Sequence, residues 1–304
     1  MSTGMQRLPY YPGCTLKTTA AGFEISAMAS ARTLGIELVE IPRWNCCGTV
    51  FSLTSDDLIH HVAPVRNLIR VQEMNREGIV DDEYRLVVLC SMCFNTLKRA
   101  NLRMRENPAN LKTLNDFMNL EEDYEAEVEV VHFLEILRDL GPEAIAGKAR
   151  TPLSGLRVAP YYGCMLLRPK EVGIDDPEEP TIQNDVLTAL GADVVYNNYM
   201  KMCCGSYQTM RDKRAVAGLV YDILTHAQAD GAQAISTSCP LCAFNLDNRQ
   251  KEVKEIYPEF EEMPVFYFTQ LMALAFGLDA SSCGFEHNRE SAERLLREME
   301  LLPV

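Results

Sequence analysis

Arg85-Leu86-Val87-Val88-Leu89-Cys90-Ser91-Met92-Cys93-Phe94-Asn95 runs from a short apolar stretch directly into a Cys-x-x-Cys. The passage returns as Ala234-Ile235-Ser236-Thr237-Ser238-Cys239-Pro240-Leu241-Cys242-Ala243-Phe244-Asn245. A short apolar run followed by helical spacing reads as a buried strand entering a helix. Each Cys-x-x-Cys therefore ends a strand and begins a helix, and Pro240 suits a first helical turn. Outward from this point the first half alternates in the same way. Strands are expected at Leu8 to Pro12, Glu37 to Ile41, Arg85 to Leu89 and Val128 to Phe133, and helices at Thr18 to Leu34, Thr54 to Glu77, Cys93 to Arg105 and Phe133 to Leu140. The second half repeats the order, with strands at Arg157 to Tyr162, Asp193 to Asn197, Ala234 to Thr237 and Val265 to Phe268. Strands separated by helices imply right-handed crossovers and mainly parallel sheets. The expected fold is α/β: two tandem domains related by a pseudo-two-fold, each a mainly parallel sheet flanked by helices. The turn-rich segment Gly147 to Gly155 sets the division at 1–150 and 151–304.

The cysteines follow the same doubling. Cys14, Cys46, Cys47, Cys90 and Cys93 form one set, and Cys164, Cys203, Cys204, Cys239 and Cys242 the other, so ten of the eleven are accounted for. Their neighbours repeat as well: Tyr-Tyr-Pro-Gly-Cys14 against Tyr-Tyr-Gly-Cys164, and Cys46-Cys47-Gly48 against Cys203-Cys204-Gly205. In open parallel sheets ligands gather beyond the carboxyl ends of the strands, and these cysteines fall there. Each helix beginning at a Cys-x-x-Cys would aim free N–H groups at sulfurs bearing negative charge. Gly13, Gly48, Gly163 and Gly205 adjoin the cysteines; they mark either close passage of backbone past a metal or ordinary turns.

With 304 residues the chain has room for two domains, and its 47% hydrophobic and 24% charged content is that of a globular protein. A formal net charge of −14 argues against nucleic acid or an anionic membrane as partner. No stretch reads as a membrane span; Met263 to Leu278 reads as a strand running into a buried helix. Without a signal pattern the chain is expected in the cytoplasm, where clustered cysteines are metal ligands or redox groups rather than disulfides.

The doubled pattern C-x(n)-C-C-G-x(n)-C-x-x-C resembles the cysteine-rich CCG domain of the heterodisulfide reductase HdrB family, over nearly the whole chain. The resemblance implies an unusual noncubane [4Fe–4S] cluster in each domain, the first held by Cys14, Cys46, Cys47, Cys90 and Cys93, the second by Cys164, Cys203, Cys204, Cys239 and Cys242. It implies an oxidoreductase component that splits a small-molecule disulfide between two clusters, with electrons delivered by a ferredoxin-like iron–sulfur subunit and a flavin subunit. In methanogens the substrate is the mixed disulfide of coenzyme M and coenzyme B; Tyr-Pro-Gly-Cys14-Thr-Leu-Lys and Trp44-Asn-Cys-Cys-Gly look more like bacterial relatives. An alternative is an electron-transfer subunit without disulfide chemistry, since CCG domains also occur in lactate, glycolate, succinate and benzoyl-CoA oxidoreductase systems. A structural zinc site would leave one cysteine of each five idle.

Beside the motifs stand Lys17, Arg43, Lys98, Arg168, Lys170 and Lys201, which either offset cluster charge, hold an anionic group of the substrate, or are plain surface charges. His132, ending the fourth strand, either donates a proton to a leaving thiolate or is a core residue bonded to backbone; Tyr267 holds the matching place. His60-His61 reads as helix surface or core, Cys283 as a free thiol, and Glu121 to Glu129 as a solvated loop.

Overall fold

The computed structural model describes residues 5–49, 57–81 and 84–302. Eight parallel strands make two four-stranded sheets of identical topology. In the first, β1 (Gln6–Tyr11), β2 (Ile36–Glu40), β3 (Arg85–Val88) and β4 (Glu129–His132) lie in the order β2-β1-β3-β4. In the second, β5 (Arg157–Tyr161), β6 (Asp193–Val194), β7 (Ala234–Thr237) and β8 (Val265–Tyr267) lie in the order β6-β5-β7-β8. The doubled α/β architecture is as expected. In each sheet the order switches between the first and third strands, which is where a parallel sheet opens a crevice at its carboxyl edge. The strand carrying the first cysteine thus lies beside the strand that runs into the Cys-x-x-Cys.

Departures from the expected elements have local causes. The helix expected at Thr18 begins only at Ala21 (Ala21–Thr33), because the Thr15 carbonyl first accepts both Thr18 N and Ala20 N in a turn. The helix expected over Thr54 to Glu77 starts outside the described residues; its described part is a 3₁₀ turn, Leu58–His61, leading into a helix, Val62–Arg76. Strand β6 stops at Val194, short of Asn197, whose side chain accepts from Tyr199 N at 2.7 Å to open a turn. An unexpected helix, Pro108–Phe117, has proline in its first turn and Asn107 as its cap. Glu121 to Glu129 is not simply a solvated loop: Arg66 and Arg70 of the Val62–Arg76 helix pair with Glu121, and Arg76 pairs with Glu122 and Glu125. Burial pushes the Glu121 carboxyl up, but Arg70 and Arg66 more than offset it and hold it below the usual carboxylate range.

The main core runs across the join between the halves. Helix Phe268–Ala275 of the second half, wholly buried, packs on helix Ala21–Thr33 of the first. The matching helix of the first half, Phe133–Leu140, packs on Ile182–Ala189 of the second. Each half thus lends its fourth-strand helix to the other. At the first contact Ser26 Oγ lies 2.7 Å from Thr269 Oγ1, and the Phe23 ring stacks on Tyr267 with centroids 4.3 Å apart. Gly22 meets Gly284 there so closely that a Cβ on Gly22 would sit 2.4 Å from the Gly284 carbonyl oxygen.

Candidate metal centre

Both cysteine sets lie at the carboxyl edges of the sheets, on three converging loops each. The loop after β1 turns at Gly13 and places Cys14 in a short helical turn, Gly13–Leu16. Gly13 needs its positive φ of 70°, and a Cβ there would sit 3.2 Å from Cys93 Sγ and 3.3 Å from the Tyr11 ring. Gly163 repeats this with φ 67°, 3.4 Å from Cys242 Sγ and 3.3 Å from Tyr161. At this pair the backbone does pass close to sulfur. Gly48 and Gly205 answer otherwise, as turns: the nearest atoms an added Cβ would meet belong to Ala63, or to Leu219 and Val216.

The Cys-Cys loops are clamped by tyrosines that end the first strands. The Tyr11 hydroxyl donates to the Asn45 carbonyl at 2.9 Å, and the Tyr161 hydroxyl to the Met202 carbonyl at 2.6 Å, each being the residue before a cysteine pair. Both rings are buried, and burial followed by the neighbouring sulfurs drives both phenols far above their usual range, so they stay protonated donors. The repeated Tyr-Tyr dipeptide was the signal for this role.

Helix Ser91–Glu106 has Cys90 as its N-cap, and Cys239 caps Pro240–Ala243 in the same way. Backbone N–H groups of the first helical turns reach these sulfurs: Cys93 N–H bonds Cys90, and those of Leu241 and Cys242 bond Cys239. Gly205 N–H donates to Cys203 Sγ at 3.4 Å. Such amides favour the thiolate form. The second motif carries one extra residue, Ala243, before its phenylalanine and asparagine, and a π turn at Phe244–Asn248 absorbs it.

The sulfurs form a line. Thiol contacts join Cys46 to Cys47 and Cys90 to Cys93, Cys47 Sγ lies 3.3 Å from Cys93 Sγ, and Cys204 Sγ lies 3.4 Å from Cys242 Sγ. Cys239 neighbours both Cys242 and Cys90, so the two sets approach each other at this point. The bond to Cys239 raises the Cys90 thiol, while the bonds to Cys242 and Cys90 lower that of Cys239. Cys164 pairs with Cys203, whose thiol this bond lowers to about 6. Cys14 is exposed beside Cys46 and acts on it electrostatically. At the crossing Ser91 Oγ and Ser238 Oγ lie 2.9 Å apart, fully buried, and Ser91 N donates to Ser238 O at 3.4 Å. Among the described residues no three His, Cys, Asp or Glu side chains gather as a single-ion site requires. The all-cysteine donor set, the amides aimed at it and the side-chain-free approaches at Gly13 and Gly163 fit an iron–sulfur group.

A residue that sequence reasoning missed ties the sites together. Asn95, fully buried behind the first Cys-x-x-Cys, donates through Nδ2 to the Met165 and Arg168 carbonyls, both at 2.7 Å, and so holds the loop after Cys164. Its partner in the repeat, Asn245, instead donates to the Cys204 carbonyl at 2.8 Å. Asparagine after both motifs was the visible signal.

The remaining expected residues stand further from the sulfurs or are committed to other partners. His132 is fully buried, with Nε2 2.7 Å from the Leu89 carbonyl and Nδ1 accepting from Leu134 N at 3.2 Å, so Nε2 carries the proton. Burial lowers its pKa to about 4, leaving a neutral ring. Tyr267, at the matching place, takes its ring into the core against Phe23. Lys17 bonds Glu24 at 2.7 Å and Glu40 at 2.6 Å; Lys201 and Arg168 share Glu178 at 2.9 and 2.6 Å. Arg43 pairs with Glu73, Lys98 sits over the Phe94 ring near Glu135, and Lys170 is exposed. His61 is buried and His60 half-buried. Cys283 is buried, which raises its thiol to about 12 and keeps it protonated. No helix among the described residues is long and apolar enough to cross a membrane.

The family model described as CCG, cysteine-rich domain, matches residues 8–98 and again 158–247. The chain is 32% identical over 290 residues to the 8-methylmenaquinol:fumarate reductase membrane anchor subunit of Wolinella succinogenes, covering 94% of this chain and 98% of that one. It is 28% identical over 292 residues to the B component of the ferredoxin/F420H2-dependent CoB-CoM heterodisulfide reductase of Methanosarcina acetivorans, covering 93% and 94%. A protein of Archaeoglobus profundus, described as like the B component of heterodisulfide reductase, is 27% identical over 286 residues, covering 90% and 92%. Among solved structures, a hypothetical protein from Helicobacter pylori shares the fold with a TM-score of 0.68 at 12% identity, over 93% of this chain and 51% of that one. The chain belongs to the CCG cysteine-rich domain family and carries two copies of that domain.

Proposed function

We propose that this chain is the iron–sulfur subunit of an oxidoreductase complex of the heterodisulfide reductase type, reducing a disulfide to two thiols. The observation that carries the reading is that the two Cys-x-x-Cys turns meet across the pseudo-two-fold, with Ser91 Oγ 2.9 Å from Ser238 Oγ beside Cys90 and Cys239. Cleaving a disulfide takes two electrons and two protons, and iron–sulfur clusters, when bound, supply electrons one at a time. Two adjacent one-electron sites therefore match one S–S bond. Cys14, Cys46, Cys47, Cys90 and Cys93 would hold one [4Fe–4S] cluster, and Cys164, Cys203, Cys204, Cys239 and Cys242 the other, each five belonging to its own half, 1–150 or 151–304.

The chain's own groups do the positioning. The tyrosine hydroxyls fix the Cys-Cys loops, and the amides at Cys90 and Cys239 stabilise thiolate charge. Asn95 fixes the Cys164 loop from the opposite half. Lys17 and Lys201 are committed to carboxylates, and His132 is a tautomer-fixed support behind β3. Electrons would arrive from a ferredoxin-like subunit and, behind it, a flavin subunit.

A second reading is favoured by the 32% identity to a fumarate reductase subunit: electron transfer within a respiratory complex, with no disulfide. One set of experiments separates the two. Protein purified without oxygen should carry about eight irons, and the complex should release free thiol from a disulfide at the rate it consumes electrons. Stoichiometric zinc with little iron would sink both readings. Electron throughput without thiol release leaves only the second. Cys204→Ser should remove iron from the second set alone; retention of all iron would refute the ligand assignment.

A further inference from the structure

Around the second cysteine pair the surface changes character. Met202 and Tyr207 flank Cys203 and Cys204, and Met210 follows one turn later; they are 47%, 37% and 89% exposed. Hydrogen bonds from Gln208 N to Gly205 O and from Arg211 N to Gln208 O, both 2.8 Å, hold this stretch in a compact turn. The Tyr207 hydroxyl reaches across to Met92 Sδ at 3.8 Å, so the patch also touches the first Cys-x-x-Cys. Cys203 lies half-buried beneath it. Scattered exposed apolar residues need no explanation, but three large ones around one vicinal cysteine pair do.

The rim of this patch is basic. Arg211, Lys213 and Arg214 are all exposed, and none makes an ion pair among the described residues. The one acid among them, Asp212, spends its carboxylate on the N–H groups of Arg214 and Ala215 at 3.1 and 3.0 Å, capping helix Lys213–Ala229. In a chain of net charge −14 this is a local reversal of sign. An apolar centre with a basic rim is complementary to an acidic protein with an apolar contact face.

We propose that this face is the docking surface for a small acidic electron carrier of the ferredoxin class, seated with its redox centre over Met202 and Tyr207. This rests on the iron–sulfur reading above, since the transfer needs an acceptor beneath the patch. One electron leaves the carrier's reduced iron–sulfur centre and enters the second site of this chain; no bond is made or broken.

The test uses the full chain purified without oxygen and a plant-type [2Fe–2S] ferredoxin as the acidic probe. Binding by biolayer interferometry should be salt-sensitive. The triple change Arg211→Glu, Lys213→Glu, Arg214→Glu should weaken it at least about tenfold, and Met210→Asp several-fold, with iron content unchanged. Acids in a first helical turn are favourable, so the triple variant keeps its fold. Lys148→Glu, a single reversal on the linker, should bind as wild type does. Absence of salt-sensitive binding, or equal binding by the triple variant, overturns the proposal. So does self-association through this face, or capture by anionic vesicles in place of ferredoxin. Loss of the iron–sulfur reading shows separately, as protein without iron that a small-molecule reductant cannot reduce; binding is still scored on that protein.

Discussion

Replacing Gly163 by alanine tests whether the backbone really passes beside the second sulfur set. The residue has φ 67°, and a Cβ would lie 3.3 Å from Tyr161 Cε1 and 3.4 Å from Cys242 Sγ. Gly231 is the control, with φ 94° and nothing within 4 Å of an added Cβ. A left-handed alanine costs about 1–2 kcal/mol at either position. The smaller entropy of the unfolded alanine chain offsets part of that equally in both. Only Gly163 adds crowding of a packed neighbourhood, roughly 1–3 kcal/mol. The expected loss is therefore about 1 kcal/mol for Gly231→Ala and about 2–4 kcal/mol for Gly163→Ala, measured by urea unfolding of the metal-free, reduced chain. Gly163→Ala should also lose iron from the second set, because its methyl displaces Cys242 or the Tyr161 clamp. Equal destabilisation of the two variants, with full iron retained in both, would refute the close-passage argument.

Asn95→Ala removes two bonds to buried carbonyls while relieving one unpartnered oxygen, Oδ1. A loss of about 1–3 kcal/mol is expected, with faster hydrogen exchange at residues 165–168; unchanged exchange there argues against the cross-half tether. His132 gives a pH signature. Its folded pKa of about 4 lies below its unfolded value of 6.5, so its contribution is fully present above pH 6.5 and is lost as pH falls through 4. Wild type should lose on the order of 3 kcal/mol over that window through this residue, and His132→Gln should show a shallower acid slope. Identical slopes would mean that the ring is not buried neutral.

The order of strands and helices was readable because strands covered on both faces appear as plain apolar runs, Leu86 to Leu89 being one. The two cysteine sets were readable because their chemistry is confined to one residue type at repeated spacing. The features that stayed hidden depend on which surfaces meet. Nothing local in Phe268–Ala275 says that its partner is Ala21–Thr33 of the other half. The arginines at 66, 70 and 76 look like a charged helix face until the loop bearing Glu121, Glu122 and Glu125 folds over them. The extra Ala243 is visible in the sequence, but its absorption by a π turn is a backbone event. The contact of Cys90 with Cys239 requires the pseudo-two-fold itself, which no single motif contains.

The exchanged helices bear on how such a chain can vary through descent. Gly22 and Gly284, far apart in sequence and in opposite halves, touch so closely that neither admits a methyl group without displacing the other. A substitution in one repeat is therefore judged by its fit to the other, and the repeats must change together. The same interlocking removes any hinge between them, so the separation of the two sulfur sets is inherited as a property of the core. Either repeat supplied alone would present Phe23 or Phe268 to water.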